Sequence, residues 1–406
     1  MATLLDLGSP DMFQNPHPKY RQLFETYGNI YYSEKDDIFY IAGYRQIQEV
    51  LKHSQISSNR VDAMASRLGA EQIKALEPML SNLKRWVIFL DPPQHTPIRR
   101  TILRALQPRS VFDLKNRIQA IVDDLITSVY DQANSFDFVQ ALAFPLPVIV
   151  ISELLGADPK DREIIKEWSD DIAGFFNGKV KPDAVRKTYA AIVGLEEYFE
   201  DVWRKPRAPL STNLLEALAM LREKGVSDKD IIANSIALIF AGHETTSNLI
   251  ANGMKCLMDH PQTLDLVVHD AKLIPSFLAE VLRFDAPVQR VTRVTTEPVV
   301  IEGVKIPAGE RVFCLLGAGN RDASIFQDPD RFDIFRNEEP SLSFGVGIHL
   351  CPGNHLALLE SQIFFETFFS HFQDLECETP NPSYRDSLGL RALNEFRIRA
   401  KRKPLS

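Results

Sequence analysis

Residues 344–353 of this chain read Phe344-Gly345-Val346-Gly347-Ile348-His349-Leu350-Cys351-Pro352-Gly353. The run places one cysteine in a glycine-rich turn, and apolar residues recur at helical spacing after it. A cysteine binds a metal as the thiolate, so its surroundings must favour the charged form. We expect Pro352 to be the first residue of the following helix. Cys351 then lies where helix N-terminal amides stabilise negative charge.

The three glycines of this run are expected to let the backbone fold closely around the sulfur of Cys351. Gly345, Gly347 and Gly353 have no Cβ, so each can adopt positive φ or bring a backbone amide close to the sulfur. Phe344 is expected to shield the sulfur from water. These residues together predict a cysteine environment built around a ligand.

Two other interpretations of Cys351 remain open on the residues alone. A lone cysteine is most often a buried apolar residue. A zinc site with His349 and His355 is the second alternative, but it lacks a fourth ligand at normal spacing. The whole run resembles the haem-ligand loop of the cytochrome P450 family, the haem-thiolate monooxygenases. This resemblance implies that Cys351 binds the iron of haem b (iron protoporphyrin IX), whose electron density a thiolate increases.

A long helix is predicted near the middle of the chain. Ser227 and Asp230 have the spacing of a capping box, with aspartate in place of the usual glutamate. An apolar helical pattern then continues to His260, which spans roughly 50 Å at 1.5 Å per residue. Its middle holds residues 241–246, which read AGHETT.

Residues 241–246 resemble the oxygen-activation motif of the same family. We expect the Thr245 hydroxyl to bond back to the carbonyl of Ala241, four residues earlier, and Ala241 to lie against the haem. Gly242 is expected to weaken the helix at this point. Glu244 then supplies a carboxylate that relays protons beside the Thr245 alcohol, which is chemically suited to the reduction of oxygen. A small-residue helix packed against a neighbour is the alternative.

Four basic side chains are candidates for binding the haem propionates. His95 and Arg99 are four residues apart, so they share a face if a helix begins near His95. The family resemblance assigns these two, together with Arg293 and His349, to the propionates. Each of them taken alone is more often a surface charge.

A separate charge pair has a structural interpretation. Glu280 and Arg283 lie one helical turn apart and resemble the family's E-x-x-R pair. Residues 328–332, which read DPDRF, resemble the later segment that completes this network. We expect a buried ion pair that fixes the position of the chain on the cysteine side of the haem.

Composition limits the class of protein. The chain has 406 residues, a net charge of −8 and a pI near 5.7, which argues against a general nucleic-acid-binding protein. Its four cysteines show no paired spacing, which favours a reducing, cytoplasmic compartment. The most apolar stretch, residues 141–151, is too short to span a bilayer. No membrane anchor is therefore expected, in keeping with a soluble bacterial type of the resembled family.

Periodicity predicts a mainly α-helical fold with a smaller β region, in one domain spanning residues 1–406. Two strands are expected within residues 29–43 and a second strand-rich patch within residues 299–316. Helices are expected, among others, at 112–130, 161–178, 185–203 and 212–223. The resemblance implies the triangular-prism fold of the cytochrome P450 family.

The electron donor is expected to be a separate protein. A basic stretch within this acidic chain contains Arg99, Arg100, Arg104, Arg109, Lys115 and Arg117. Arg99 is expected to point inward. The others form a candidate surface for an acidic ferredoxin or flavodoxin, itself reduced by an NAD(P)H-dependent reductase. A solvated helix face is the alternative.

The resemblance also indicates which residues line a substrate pocket: Ala237, Val288, Gln289, Phe175 and Phe176. Their apolar character predicts a small, lipophilic or natural-product-like substrate that is hydroxylated or epoxidised with O2. Two alternative functions remain. A peroxide-driven peroxygenase is disfavoured by the acid–alcohol pair at 244–245, and a non-enzymatic haem sensor or carrier has no use for a proton relay.

Overall fold

The fold is built mainly from α-helices, as predicted. The computed structural model describes residues 6–65, 69–130, 135–176, 182–204 and 214–404. Within these ranges the helices are α1 (Pro10–Gln14), α2 (His17–Tyr27), α3 (Tyr44–Lys52), α4 (Val61–Ala65), α5 (Ala70–Ala75), α6 (Glu77–Leu83), α7 (His95–Ala105), α8 (Pro108–Phe112), α9 (Lys115–Ser128), α10 (Pro145–Leu154), α11 (Arg162–Phe176), α12 (Pro182–Arg204), α13 (Leu214–Ala219), α14 (Asp228–Asp259), α15 (Pro261–His269), α16 (Ile274–Phe284), α17 (Leu316–Gly319) and α18 (Asn354–His371).

The β structure forms three small sheets. Its strands are β1 (Ile30–Ser33), β2 (Ile38–Ile41), β3 (Ile56–Ser57), β4 (Ser135–Asp137), β5 (Val291–Thr295), β6 (Val299–Ile301), β7 (Val304–Ile306), β8 (Arg311–Cys314), β9 (Phe372–Cys377) and β10 (Arg397–Arg402). The five-stranded sheet has the order β1-β2-β8-β5-β3, and β2 runs parallel to β8. A second sheet has the order β4-β10-β9, and β6 pairs with β7.

Both predicted strand regions are confirmed. The hairpin of β1 and β2 pairs Ser33 with Ile38 across the charged turn, and the backbone φ of Asp37 is positive, at 55°. Residues 299–316 contain β6, β7 and β8, with positive φ at Gly303 and Gly309 in the connecting turns. The β4-β10-β9 sheet has no counterpart in the sequence prediction.

The four predicted helices are present with shifted ends. Residues 112–130 contain α9, and α11 and α12 cover the described parts of 161–178 and 185–203. The helix expected at 212–223 is wrong at its C-terminal end, because α13 ends at Ala219 and Arg222–Lys224 form a separate 3₁₀ turn. Gly225 follows that turn with φ +78°, a left-handed conformation that stops the chain from continuing as one helix.

The long helix α14 runs through the main hydrophobic core, and its ends follow the prediction. The amide of Asp230 donates to Ser227 Oγ across 3.2 Å, and the Ser227 amide donates back to Asp230 Oδ2 across 3.3 Å. This is a complete capping box at the N-terminus. His260 ends the helix and precedes α15, which begins at a proline. None of the described helices combines the length and hydrophobicity needed to cross a membrane.

Candidate functional site

The loop before α18 holds Cys351 in a tight turn. Its amide donates a hydrogen bond to the Phe344 carbonyl across 2.8 Å, which closes the loop. Gly345 and Gly347 have positive φ values of 68° and 77°, as expected. A Cβ on Gly347 would also lie only 2.8 Å from the Leu51 carbonyl oxygen. The loop therefore requires glycine at position 347 both for its backbone conformation and for its close contact with α3.

One prediction about the residues after Cys351 is wrong. Pro352 lies in a turn, because α18 begins only at Asn354, after Gly353 as its N-cap. Gly353 has a φ of −94°, and a Cβ there would meet open space. Of the two roles expected of Gly353, the turn serves the second, since it brings the Gly353 amide close to the sulfur of Cys351. The sulfur of Cys351 is thus contacted by one specific amide at the N-terminus of α18, that of Gly353.

The sulfur of Cys351 is a partly desolvated thiol with two features that favour its charge. Burial raises the pKa of Cys351, while the hydrogen bond from the Gly353 amide and the guanidinium of Arg99 act in the opposite direction. A metal ion bonded to the sulfur removes the thiol proton outright. In the structure Cys256, Cys314 and Cys377 are also free thiols.

A cluster of basic side chains lies beside this loop. His95 and Arg99 project from α7, both buried, and the Arg99 guanidinium donates to the Leu350 carbonyl, next to the cysteine. The His95 and His349 rings lie 4.5 Å apart between centroids. Arg293 on β5 is also buried and acts electrostatically on His349. The structure thus brings together all four side chains predicted to bind propionates.

Arg60 is a fifth member of this cluster, which the sequence analysis missed. It acts electrostatically on His349, and its Cζ lies 4.5 Å from the centroid of the Phe89 ring. Burial, followed by repulsion from Arg293 and Arg290, lowers the pKa of Arg60 to about 9. No local motif marks this residue, because its distance from the cluster depends on how β3 packs against β5.

The basic cluster is a site for an anion. Burial, followed by repulsion from its basic neighbours, lowers the pKa of His349 to about 3, and burial likewise lowers the pKa values of Arg99 and Arg293. Buried nitrogen atoms of three members lack a hydrogen-bond partner: His95 Nε2, Arg99 Nε and His349 Nε2. Buried donors without partners are costly. A dianion such as the two propionates of haem satisfies both the charge and the donors, so the residues present fit that group.

The middle of α14 presents small residues to open space. Thr245 Oγ1 donates to the Ala241 carbonyl across 2.9 Å, as predicted. Ala241 and Thr245 are partly exposed, although their neighbours His243 and Glu244 are buried. A Cβ on Gly242 would lie 3.0 Å from Ile151 Cγ1. Gly242 therefore allows α14 to pack closely against α10. The helix is continuous at this residue, so the expected weak point is not present there.

Glu244 is buried and held by a residue from the far end of the chain. Its Oε1 accepts a hydrogen bond from Arg385 Nη1 across 3.1 Å, and its Oε2 lies 3.5 Å from His243 Nε2. Burial acts to raise the pKa of Glu244, but His243, Arg385 and Lys166 together bring it below its ordinary value. The carboxylate is therefore ionised near neutral pH and can accept a proton. Since Arg385 is partly exposed, it connects Glu244 to solvent.

The predicted structural pair is confirmed as a buried ion pair. Arg283 Nε and Nη2 donate to the two carboxylate oxygens of Glu280, each across 2.8 Å. Both side chains are 4% exposed. Arg283 Nη1 also donates to the carbonyls of Asn320 and Pro329. The pair thus ties α16 to the chain segment that precedes the cysteine loop.

The segment 328–332 joins this network through a backbone carbonyl, whereas the side chain of its arginine does not take part. The Arg331 carbonyl accepts from Arg283, but the Arg331 side chain is exposed and faces Asp333. The third charged member is Arg336, whose Nε donates to Glu280 Oε1 across 3.2 Å. Arg336 lies outside the predicted segment.

The predicted basic stretch is only partly a free surface. Arg99 points inward, as expected, and Arg117 is bonded to Glu153 across 2.8 Å, so Arg117 belongs to an ion pair. The remaining cations are exposed. They are Arg100, Arg104, Arg109 and Lys115. Exposed apolar side chains from the same helices and from the cysteine loop accompany them: Leu103, Phe112, Ile348 and Leu350.

Three of the candidate substrate residues can be placed. Ala237 is buried on α14, one turn before Ala241, and Val288 is partly exposed. Gln289 is buried, and its Oε1 accepts from the Tyr20 hydroxyl across 2.8 Å while its Nε2 donates to a backbone carbonyl. Both ends of the Gln289 amide are thus occupied within the protein. The side chains of Phe175 and Phe176 lie outside the described residues.

Comparisons with known proteins agree with this geometry. Residues 2–395 match the sequence model of the family described as Cytochrome P450. The chain is 32% identical to the cytochrome P450 monooxygenase PikC of Streptomyces venezuelae, over 96% of this chain and 93% of that protein. It is 33% identical to the vitamin D(3) 25-hydroxylase of Pseudonocardia autotrophica, over 97% of this chain and 96% of that protein. The crystal structure of P450BioI in complex with hexadec-9Z-enoic acid ligated acyl carrier protein has a TM-score of 0.88 and 29% identity, covering 96% of this chain and all of that one.

Proposed function

The chain belongs to the cytochrome P450 family and is a monooxygenase with that family's fold, and from this premise we propose its reaction in detail. The protein uses O2 and two electrons from a separate redox partner to hydroxylate or epoxidise a small lipophilic or natural-product-like molecule. Residues 1–406 form one catalytic domain. Its free cysteines favour a cytoplasmic location.

Haem b is held from two sides in this proposal. Cys351 binds the iron through its sulfur, with the Gly353 amide and Arg99 stabilising the thiolate. His95, Arg99, Arg293 and His349 bind the propionates, and Arg60 adds a fifth group to this set. Ala241 offers a small side chain on the opposite side, and Phe344 and Gly345 shape the loop under the sulfur. When bound, the haem supplies O2 binding and activation, which a thiolate ligand promotes by donating electron density to the iron.

Proton delivery is assigned to Glu244 and Thr245. The carboxylate is ionised and contacts the partly exposed Arg385, so it can take up a proton from the solvent side. The Thr245 hydroxyl donates to the Ala241 carbonyl, which leaves its oxygen as an acceptor at the partly exposed face of α14. General acid–base transfer of this kind contributes about 10²- to 10⁴-fold to a rate. This arrangement supports O2-dependent chemistry over the peroxide-driven alternative.

The substrate class rests on the apolar lining and on the relatives. Ala237, Val288, Gln289, Phe175 and Phe176 remain the proposed substrate contacts. One relative is a hydroxylase of vitamin D(3), and one structural neighbour binds a fatty acid ligated to a carrier protein. Both of those ligands are lipophilic, which supports the same class here.

The electron donor is proposed to dock on the surface formed by Arg100, Arg104, Arg109 and Lys115. The helices that carry these arginines also expose apolar side chains, Leu103 on α7 and Phe112 on α8. A mixture of cationic and apolar groups suits an acidic partner that must bind briefly and dissociate. A ferredoxin or flavodoxin, with its NAD(P)H-dependent reductase, fits this surface.

The observation that carries the proposal is Cys351 lying beside a buried, uncompensated basic cluster. The test is the spectrum of the purified haem protein. After reduction under carbon monoxide the wild type should show the red-shifted thiolate absorption, and Cys351→Ser should lose it. A library of lipophilic compounds is then screened for a low-to-high spin shift, and the responders are turned over with ferredoxin, reductase and ¹⁸O2. Product without ¹⁸O, or product formed only from added peroxide, contradicts the proposal.

A further inference from the structure

A group of metal-ligating side chains lies between α11 and α14, apart from the cysteine loop. Asp170 on α11 and His243 and Glu244 on α14 each offer one ligand atom, and these atoms lie within 4.8 Å of one another. We propose that this group is a binding site for a divalent cation of the zinc class. The site shares Glu244 with the proposed proton relay but contains none of the residues proposed to hold the haem.

His243 is oriented as metal-binding histidines usually are. Its Nδ1 lies 3.0 Å from the Ile239 carbonyl oxygen and 3.2 Å from Ser169 Oγ. A carbonyl oxygen only accepts hydrogen bonds, so this contact places a proton on Nδ1. The neutral ring then carries its lone pair on Nε2, and a bound metal ion replaces the proton that Nε2 carries when the ring is charged and paired with Glu244. The side chain is completely buried, and Nε2 has no hydrogen-bond partner.

Two carboxylate oxygens share this lack of a partner. Glu244 Oε2, buried and 3.5 Å from His243 Nε2, has no hydrogen-bond donor, and neither has Asp170 Oδ1. The other oxygen of each carboxylate faces a cation: Arg385 Nη1 is 3.1 Å from Glu244 Oε1, and Lys166 Nζ is 3.5 Å from Asp170 Oδ2. One ligand atom on each of the three residues thus has no hydrogen-bond partner, and Arg385 Nη1 also lies 3.8 Å from Asp170 Oδ1.

These three acceptor atoms form the donor set of a three-ligand zinc site. One imidazole nitrogen and two carboxylate oxygens suit a borderline-soft divalent ion, with water as a fourth ligand. Ligand atoms around tetrahedral zinc lie about 3.4 Å apart. The present separation of up to 4.8 Å thus needs only a small rotation of the side chains. Because Asp170 is partly exposed, the ion can enter from solvent.

The neighbouring cations limit the affinity. Arg385 and Lys166 already face the two carboxylates, so an added divalent ion meets repulsion as well as attraction. Removing the charge of Arg385 should strengthen binding, whereas removing either His243 or Asp170 should weaken it. This opposite response distinguishes a site from a general acidic patch.

The test is calorimetric titration of the haem-loaded protein with zinc chloride. The wild type should bind one ion, and Asp170→Asn and His243→Phe should each weaken binding at least tenfold, while Arg385→Gln should tighten it. Because His243 is fully buried, the partly exposed Asp170 provides the variant that is expected to fold normally. His269→Ala is the control, since His269 and Asp265 form an exposed pair 3.3 Å apart on α15 that also attracts zinc.

The inference is overturned by any of three results: no binding at millimolar zinc, unchanged affinity in both Asp170→Asn and His243→Phe, or loss of the site in His269→Ala. Magnesium should not compete, because it prefers an all-oxygen octahedral shell. Binding is measured without turnover. The outcome is therefore independent of whether Glu244 relays protons in the proposed reaction.

Discussion

Arg385 donates a hydrogen bond to Glu244 across 3.1 Å, which ties a loop near the C-terminus to the middle of the long helix α14. The two residues are 141 positions apart in the sequence. Arg385 is also 3.8 Å from Asp170 Oδ1. One guanidinium thus links three elements around the proposed relay acid.

Arg385→Gln should lower the free energy of unfolding by about 2 kcal/mol at pH 7, because a buried carboxylate loses a charged hydrogen bond. The pKa of Glu244 lies below its ordinary value of 4.5, so its charge stabilises the fold above that pH. This contribution disappears as the pH falls through the lowered pKa. The difference between wild type and variant, measured by urea unfolding, should therefore shrink below pH 4.5. Arg204→Gln, which removes exposed ion pairs with Glu200 and Asp201, should cause little change. A difference that is constant with pH would contradict the assignment.

Thr245→Ala should uncouple electron use from product formation. Without the hydroxyl, proton delivery slows, and we expect product per NAD(P)H to fall about tenfold or more while hydrogen peroxide accumulates. Thr246→Ala is the matched control, since Thr246 Oγ1 bonds the Gly242 carbonyl in the same way but its side chain is buried. Product and peroxide are measured against NAD(P)H consumed. Equal coupling in the two variants would remove Thr245 from the relay.

Glu280→Ala should yield little haem-loaded protein. The substitution leaves Arg283 buried without its carboxylate partner and removes one acceptor of Arg336, a loss of about 3–5 kcal/mol. Haem content per protein, from the reduced pyridine complex, is the measurement. Glu376→Ala, which alters only an exposed pair with Arg399, should keep normal content. Normal occupancy in the Glu280 variant would show that the buried pair is not needed to form the site.

Arg60→Leu should accelerate loss of haem. Its guanidinium contacts the Thr292 carbonyl and the Phe89 ring, both uncharged, so the propionates would supply its counter-ion. Loss of a charge-assisted hydrogen bond worth about 2 kcal/mol corresponds to roughly a thirtyfold faster transfer of haem to apomyoglobin. Arg60→Lys keeps the charge and should retain most of the affinity. An unchanged transfer rate in Arg60→Leu would place this residue outside the haem site.

Arg104→Gln should slow reduction by an acidic ferredoxin at low ionic strength. Arg104 is exposed beside Leu103, whereas Arg117 is held by Glu153. Arg117→Gln should therefore have the smaller effect. Added salt screens long-range attraction, so the difference between these variants should diminish near 0.5 M ionic strength. A wild-type reduction rate that does not respond to salt would argue against docking on this surface.

The sequence predicted the parts of the site that local rules determine. Positive φ at Gly345 and Gly347, the capping box at Ser227 and the bond from Thr245 to Ala241 each involve residues a few positions apart. Their geometry follows from turn chemistry and helical spacing. The error at Pro352 arose at this level too, because a helix can begin one or two residues after the first one that proline permits.

Other parts of the site depend on distant contacts. Arg336, a charged partner of Glu280, lies outside the predicted segment 328–332, and neither Arg60 nor Arg385 was predicted. Each reaches its partner across tens to hundreds of residues. An arginine that is to be buried looks the same in a sequence as one on the surface.

The amino-acid sequence by itself determined the family, the mainly helical fold, the cysteine proposed to bind iron and the acid–alcohol pair on α14, since these rest on spacing within single elements. The tertiary structure decided which charges meet: Arg60 with the basic cluster, Arg385 with Glu244, and Asp170 with His243. The physical reason is that burial and electrostatic pairing depend on distances between elements. Those distances are fixed only when α11, α14 and the C-terminal loop pack together around the core.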